Sequence, residues 1–219
     1  MDCFIELQQA SSAARAHLLN APIITQALAG QATRSQYVAF LTQAYHHVRH
    51  TVPLLMACGA RLPARLEWLR EAVAEYIEEE IGHQEWILND IAAVGADAEA
   101  VRDGVPALET EVMVAYAYDT VQRRNPVGFF GMVYVLEGTS VQLATRVADV
   151  LRESLDLPQR AFTYLASHGS LDISHMGHFE RLVNRLDEAA DKAALIHCAR
   201  VFFRLYGDVI RSVPTGAAQ

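Results

Sequence analysis

Apolar positions recur every three to four residues along almost the whole chain, in segments rich in alanine and leucine. β-Branched residues are scattered through these segments, and no Asn-Gly or Asp-Gly turn joins two alternating runs. The pattern predicts an all-α protein of about seven or eight helices. Breaks are expected at Asn20-Ala-Pro22, Gly30 to Arg34, Gly59 to Pro63, Gly95, Gly104 to Pro106, Asn125-Pro126, Leu157-Pro158, Gly169-Ser170 and Asp187 to Asp191. Pro126 and Pro158 suit a first helical turn, where no N–H is needed, and Thr33 and Ser170 are read as caps of the segments after them. No linker, repeat or low-complexity tract divides the chain, so residues 1–213 are expected to form one helical domain and 214–219 a flexible tail.

Three of the predicted helices carry polar groups on their apolar stripes. Between Pro63 and Val94, read as one helix, steps of four and three give Leu69, Val73, Tyr76, Glu80, His83, Ile87 and Ile91. Glu80 and His83 interrupt this seam, whereas Glu78 and Glu79 turn away from it. After Pro126 the stripe is Phe130, Tyr134, Glu137, Val141, Ala144 and Ala148, which points Glu137 inward. The third stripe is Leu165, His168, Asp172, His175, Phe179, Leu182 and Leu186, with Gly169-Ser170 as a candidate kink; His178 falls off this face and is expected to be exposed.

Burying an ionised carboxylate is costly unless it is paired or metal-bound. Two divalent cations would balance Glu80, Glu137 and Asp172, and His83, His168 and His175 would complete a mixed oxygen and imidazole ligand set. Such a set suits iron or manganese, and the lack of thiolates argues against structural zinc. Tyr76 stands one turn before Glu80, as core packing or as a redox or hydrogen-bonding group, and Tyr76, Phe130, Tyr134 and Phe179 are expected to line a cavity beside the metals. Elsewhere, His46 and His50 are placed on the solvent side of their helix, and His47 flanks its apolar stripe as an extra ligand or substrate contact. His17 reads as a capping or surface histidine, and Cys58 and Cys198 as buried small hydrophobes.

Composition narrows the function. With 219 residues, 52% hydrophobic and 20% charged, the chain can build one substantial core. A net charge of −8 with no basic block argues against nucleic acid. Three scattered cysteines fit a reducing compartment, and the N-terminal residues lack a basic and apolar leader. No uninterrupted apolar run approaches about 18 residues, so a cytoplasmic protein away from membranes is expected.

The motifs then resemble a known family, the haem-oxygenase-like di-iron oxidases of the superfamily that includes TenA-type, PqqC-like and CADD-like proteins and haem oxygenase. The similarity runs through Ala16-His17-Leu-Leu-Asn-Ala-Pro22, Tyr37-Val-Ala-Phe-Leu41, Glu79-Glu80-Ile-Gly-His83, Val135-Leu-Glu137-Gly-Thr-Ser140 and His168-Gly-Ser-Leu-Asp172-Ile-Ser-His175. It implies a haem-oxygenase-like bundle in which Glu80, His83 and His168 gather around one iron and Glu137, Asp172 and His175 around the other, with Glu80 or Glu137 bridging. The spacing of three between Glu80 and His83 is similar to that of the UndA-type fatty-acid decarboxylases, which draw a further carboxylate from the earlier long helix, where this chain has His46-His47. The expected activity is that of an O2-activating oxidase or oxygenase with two irons, or manganese in their place, acting on a small organic substrate. The expected partners are that substrate, O2 and at most a second copy of the chain. A metal-free or haem-binding member of the superfamily is the alternative, with His17 in the position of the haem ligand. Thiaminase-like hydrolysis needs an activated cysteine, and none lies on the Glu80 or Glu137 stripe.

Overall fold

The computed structural model describes residues 2–215, except for the side chains of residues 170–174. Among them the chain forms eleven α-helices: α1 (Cys3–Leu19), α2 (Pro22–Leu28), α3 (Arg34–Val48), α4 (Thr51–Arg61), α5 (Glu67–Glu80), α6 (His83–Val94), α7 (Ala98–Arg102), α8 (Leu108–Arg123), α9 (Phe130–Leu155), α10 (Thr163–Val183) and α11 (Ala189–Ser212). Short 3-10 turns at Ala64–Leu66, Pro126–Phe129 and Gln159–Ala161 lead into α5, α9 and α10, and no strand occurs among the described residues.

The caps explain many of the boundaries. Thr33 and Gln36 form a reciprocal capping box at the start of α3, and the Asp2 side chain accepts the Phe4 amide at the start of α1. Pro22 and Pro126 occupy first-turn positions, as their missing N–H predicts.

The helix count exceeds the expectation because two apolar stripes that read as continuous are interrupted. The segment from Pro63 to Val94 divides at Ile81-Gly82, where Gly82 takes φ +93°, and a further turn at Arg49-His50 separates α3 from α4. In the opposite sense, α10 runs through Gly169-Ser170 without a break, so Ser170 lies within a helix instead of capping one. Gly169 serves packing: a Cβ there would meet Thr145 Oγ1 and lie 2.9 Å from the Thr145 amide nitrogen, so its hydrogen lets α10 press directly onto α9.

Helix α9 is the central element, packed on α10 and α11, while α1 covers α11, α4 covers α5 and α3 covers α6. One apolar cluster centres on Phe130, Phe179, Phe202 and Phe203, and a second on Tyr37, Leu41, Ile87 and Ile91. The stretch from Pro126 to Leu155 is long and apolar enough to cross a membrane by length and composition; 56% of its most apolar window is buried inside the bundle.

Candidate metal centre

The expected ligands divide between two neighbouring groups. Glu80 ends α5, His83 opens α6 and His168 lies in the second turn of α10, and their ligand atoms all fall within 4.8 Å of one another. The His83 Nδ1–H donates to Glu80 Oε2 at 3.1 Å, and the His83 and His168 rings meet edge to face at 4.9 Å. His83 is 3% exposed and carries Trp86 against its face at 4.0 Å. Burial opposes ionisation of Glu80, but the hydrogen bond from His83 and the fields of His83, His168 and His175 outweigh it and hold its carboxyl below the ordinary range.

Local hydrogen bonds fix this geometry. Asp90 stands two turns after His83 on the same face of α6 and is fully buried. Its carboxylate accepts the amides of Thr163 at 3.0 Å and Tyr164 at 2.8 Å, capping the start of α10 from a neighbouring helix. One turn further along α10, His168 Nδ1–H donates to the Tyr164 carbonyl at 3.0 Å. A carbonyl only accepts, so this bond places the proton on Nδ1 and leaves the Nε2 lone pair for a ligand. The sequence reading missed Asp90. Its signal was an acid beside Ile87 and Ile91 on the stripe that carries His83.

The second group contains Glu137 and His175. Glu137 is 8% exposed on α9, and His175 Nδ1 lies 3.9 Å from Glu137 Oε1. His175 Nε2 lies 3.2 Å from Glu79 Oε2, so Glu79 reaches α10 from a half-exposed position despite facing away from the apolar stripe. The Asp172 side chain lies outside the described residues. His178 is partly exposed and pairs with Glu75 at 3.6 Å.

A cavity of about 170 Å³ opens beside these groups. Glu80, Glu137, His168 and Tyr76 line it together with apolar residues that include Ile23, Ile24, Ala27 and Ile210. Both apolar clusters contribute to the wall, which is predominantly hydrocarbon. Of the four aromatics expected to line it, only Tyr76 does. Phe130 packs edge-on against Tyr76 at 6.5 Å, and Tyr134 is stacked on Phe179 at 5.7 Å and packed against Phe4 and Phe203. The cavity takes the stripe of α9 through Leu136, Ser140, Leu143 and Val147, and Tyr134, two residues before Leu136, turns to the far side.

The α3 histidines also differ from expectation. His46 is 3% exposed and not solvent-facing, because α3 packs against α6 and α8 together and has little free side near its C-terminus. His50 is half-buried, with Nδ1 3.1 Å from the Tyr118 hydroxyl. His47 is 1% exposed and lines the cavity, and burial, with added repulsion from His168, His50 and His46, pushes its pKa down to about 3. His17 is exposed near the end of α1, and neither it nor any of the three buried cysteines lines the cavity.

An all-helical bundle with acid and imidazole groups around an interior cavity is the class of protein this fold and site define. The chain belongs to the family described as Iron-containing redox enzyme, which matches residues 38–207. Its fold is haem-oxygenase-like. A domain of unknown function with a heme oxygenase-like fold from Shewanella denitrificans is similar at 25% identity and TM-score 0.85, over 97% of this chain and 92% of that one. A TenA homolog from Pseudomonas syringae gives 14% and 0.80, over 95% and 90%. The heme oxygenase from Leptospira interrogans gives 12% and 0.77, over 97% and 100%. No curated protein sequence matches the chain.

Proposed function

We propose that the protein is a non-haem di-iron oxidase or oxygenase that uses O2 on a small organic substrate held in the bundle cavity, manganese being the alternative metal. The observation that carries this reading is the convergence of Glu80, His83 and His168, from three helices, with ligand atoms within 4.8 Å. These residues fit a divalent ion: one carboxylate and two imidazoles lie together, His83 buried and Glu80 and His168 partly so, and the hydrogen bond to Tyr164 aims His168 Nε2 away from its own backbone. Glu137 and His175 would hold the second ion, joined by Asp172 on the grounds of its spacing along α10.

Bound iron would supply the one-electron chemistry that O2 reduction requires. The chain's own residues do the rest. Asp90 and the Tyr164 carbonyl orient His168 through α10, and Glu79 approaches His175 from its outer edge. The hydrocarbon wall of the cavity excludes water around the reacting groups. The family, that of iron-containing redox enzymes, supports iron, and the absence of cysteine from the cavity wall weighs against thiaminase-like hydrolysis. Haem binding through His17 finds no support in its exposed position away from the cavity.

An oxygen electrode tests the activity. Protein loaded anaerobically with ferrous iron is expected to consume O2 faster than the same iron free in buffer, and His168→Ala to lose that excess. Uptake no faster than free iron would reject the reading.

A further inference from the structure

Two aromatic rings pack on the histidines of the first ligand group, and they differ in where they lead. Tyr164 lies against His168, with ring centres 4.6 Å apart, and lines the cavity. Trp86 lies against His83 at 4.0 Å, tilted by 32°, and its centre is 6.2 Å from that of the His168 ring. Neither Trp86 nor His83 lines the cavity, whereas Glu80 and His168 do. Trp86 is partly exposed, so its open edge lies outside the chamber, and the His83 ring it covers is buried. The group therefore has a cavity side and an outer side, and Trp86 stands on the outer one.

Oxidase chemistry needs electrons as well as O2. A substrate filling the cavity covers the side on which Glu80 and His168 lie, which leaves a reductant the outer side. Indole is among the most readily oxidised side chains, and a ring in contact with a ligand imidazole can pass an electron without any atom moving. Resting on the oxidase reading, we infer that Trp86 is the electron entry to the ion held by Glu80, His83 and His168. In each passage a one-electron donor in solution loses an electron, the indole relays it through His83, and ferric iron is reduced to ferrous. No bond forms or breaks. Trp68, the other of the two tryptophans, is an internal control: it packs under Arg185 at 4.2 Å and precedes Glu80 on α5 by about 18 Å of helix.

Stopped-flow mixing with reduced methyl viologen, a coloured one-electron donor, tests this on ferric protein made by loading ferrous iron and admitting air. Loss of the viologen colour should slow about tenfold in Trp86→Phe and Trp86→Leu and recover in part in Trp86→Tyr, whose ring is also oxidisable. Trp68→Phe should keep the wild-type rate. Circular dichroism and iron content establish that each variant is folded and loaded, and Trp86→Phe decides the matter if Trp86→Leu is not. Tryptophan emission separates this inference from the reading beneath it: iron is expected to quench Trp68→Phe, where Trp86 alone emits, far more than Trp86→Phe. Such quenching with equal reduction rates in the wild type and the folded Trp86 variants would overturn the electron route alone. Iron lost from Trp86→Phe would overturn it too, by making the indole a prop for His83. No iron uptake and no quenching in the wild type would overturn the oxidase reading, and the route with it.

Discussion

At the scale of single residues, a Cβ at Gly169 would meet Thr145 backbone as well as side chain. Gly169→Ala is therefore expected to destabilise the protein by about 1–3 kcal/mol. Urea unfolding of the variant checks this, and an unchanged midpoint would rule out the close approach of α9 and α10 as a source of stability. In sequence the same glycine reads as a break, because a contact between two helices leaves no local signal. Glu80, His83 and His168 are readable because each interrupts an apolar stripe, and the fold brings them together. The preference for Glu80 over Glu79 rests on the same helical geometry, yet Glu79 still reaches His175, because a long side chain at a helix end is not confined to its own face. The burial of His46 is not legible, since one helix's periodicity does not tell how many neighbours surround it.

At the scale of elements, turn residues mark most of the breaks between helices, and the interruption at Gly82 is obscured by the unbroken apolar stripe around it. That turn changes how the first pair works: Glu80 and His83 are not one turn apart on one helix but face each other across a junction between two. The cross-helix cap at Asp90 depends on tertiary proximity between α6 and α10, which local sequence does not encode. Asp90→Ala should cost about 1–2 kcal/mol of stability and weaken metal binding together, as seen in unfolding and in metal titration, whereas a pure cap would affect stability alone.

A second junction predicts a pH effect. Buried Asp191 receives Arg65 at 2.6 Å and Asn125 at 2.7 Å. Burial pushes its carboxyl upward, but these two donors prevail and hold it below the ordinary value. Its folded pKa being depressed, Asp191 contributes stability above the unfolded value of about 4, and that stability is lost as pH falls through the folded value. Asp191→Asn should be less stable than wild type near neutrality and lose less on acidification below about pH 4, measured as urea midpoints across that range. Parallel curves for the two proteins would contradict this origin.

For the molecule as a whole, the all-helical class was carried by periodicity and the haem-oxygenase-like fold by the resemblance of the motifs, while the cavity was not legible at all. Its wall is assembled from α2, α3, α4, α5, α9, α10 and α11, and only packing decides which flank of each is left uncovered. That is why Tyr134 is expected there and is instead part of an aromatic core. Ion binding to a site assembled from separate helices favours the folded chain alone. Saturating ferrous iron under anaerobic conditions, at about a hundred times its Kd, should then add about 2.7 kcal/mol and raise Tm by about 5–10 °C for each ion bound. An unchanged Tm at that loading would argue that the ion binds outside the folded site.

The central claim is that this bundle holds two irons between the Glu80, His83, His168 group and the Glu137, His175 group. Elemental analysis of protein produced with added iron and passed through a desalting column tests it most directly. About two irons per chain are expected, with about half retained in Glu137→Ala, whose loss leaves the first group intact, and about half in His168→Ala. Background iron in the wild type, or full iron in both variants, would contradict it.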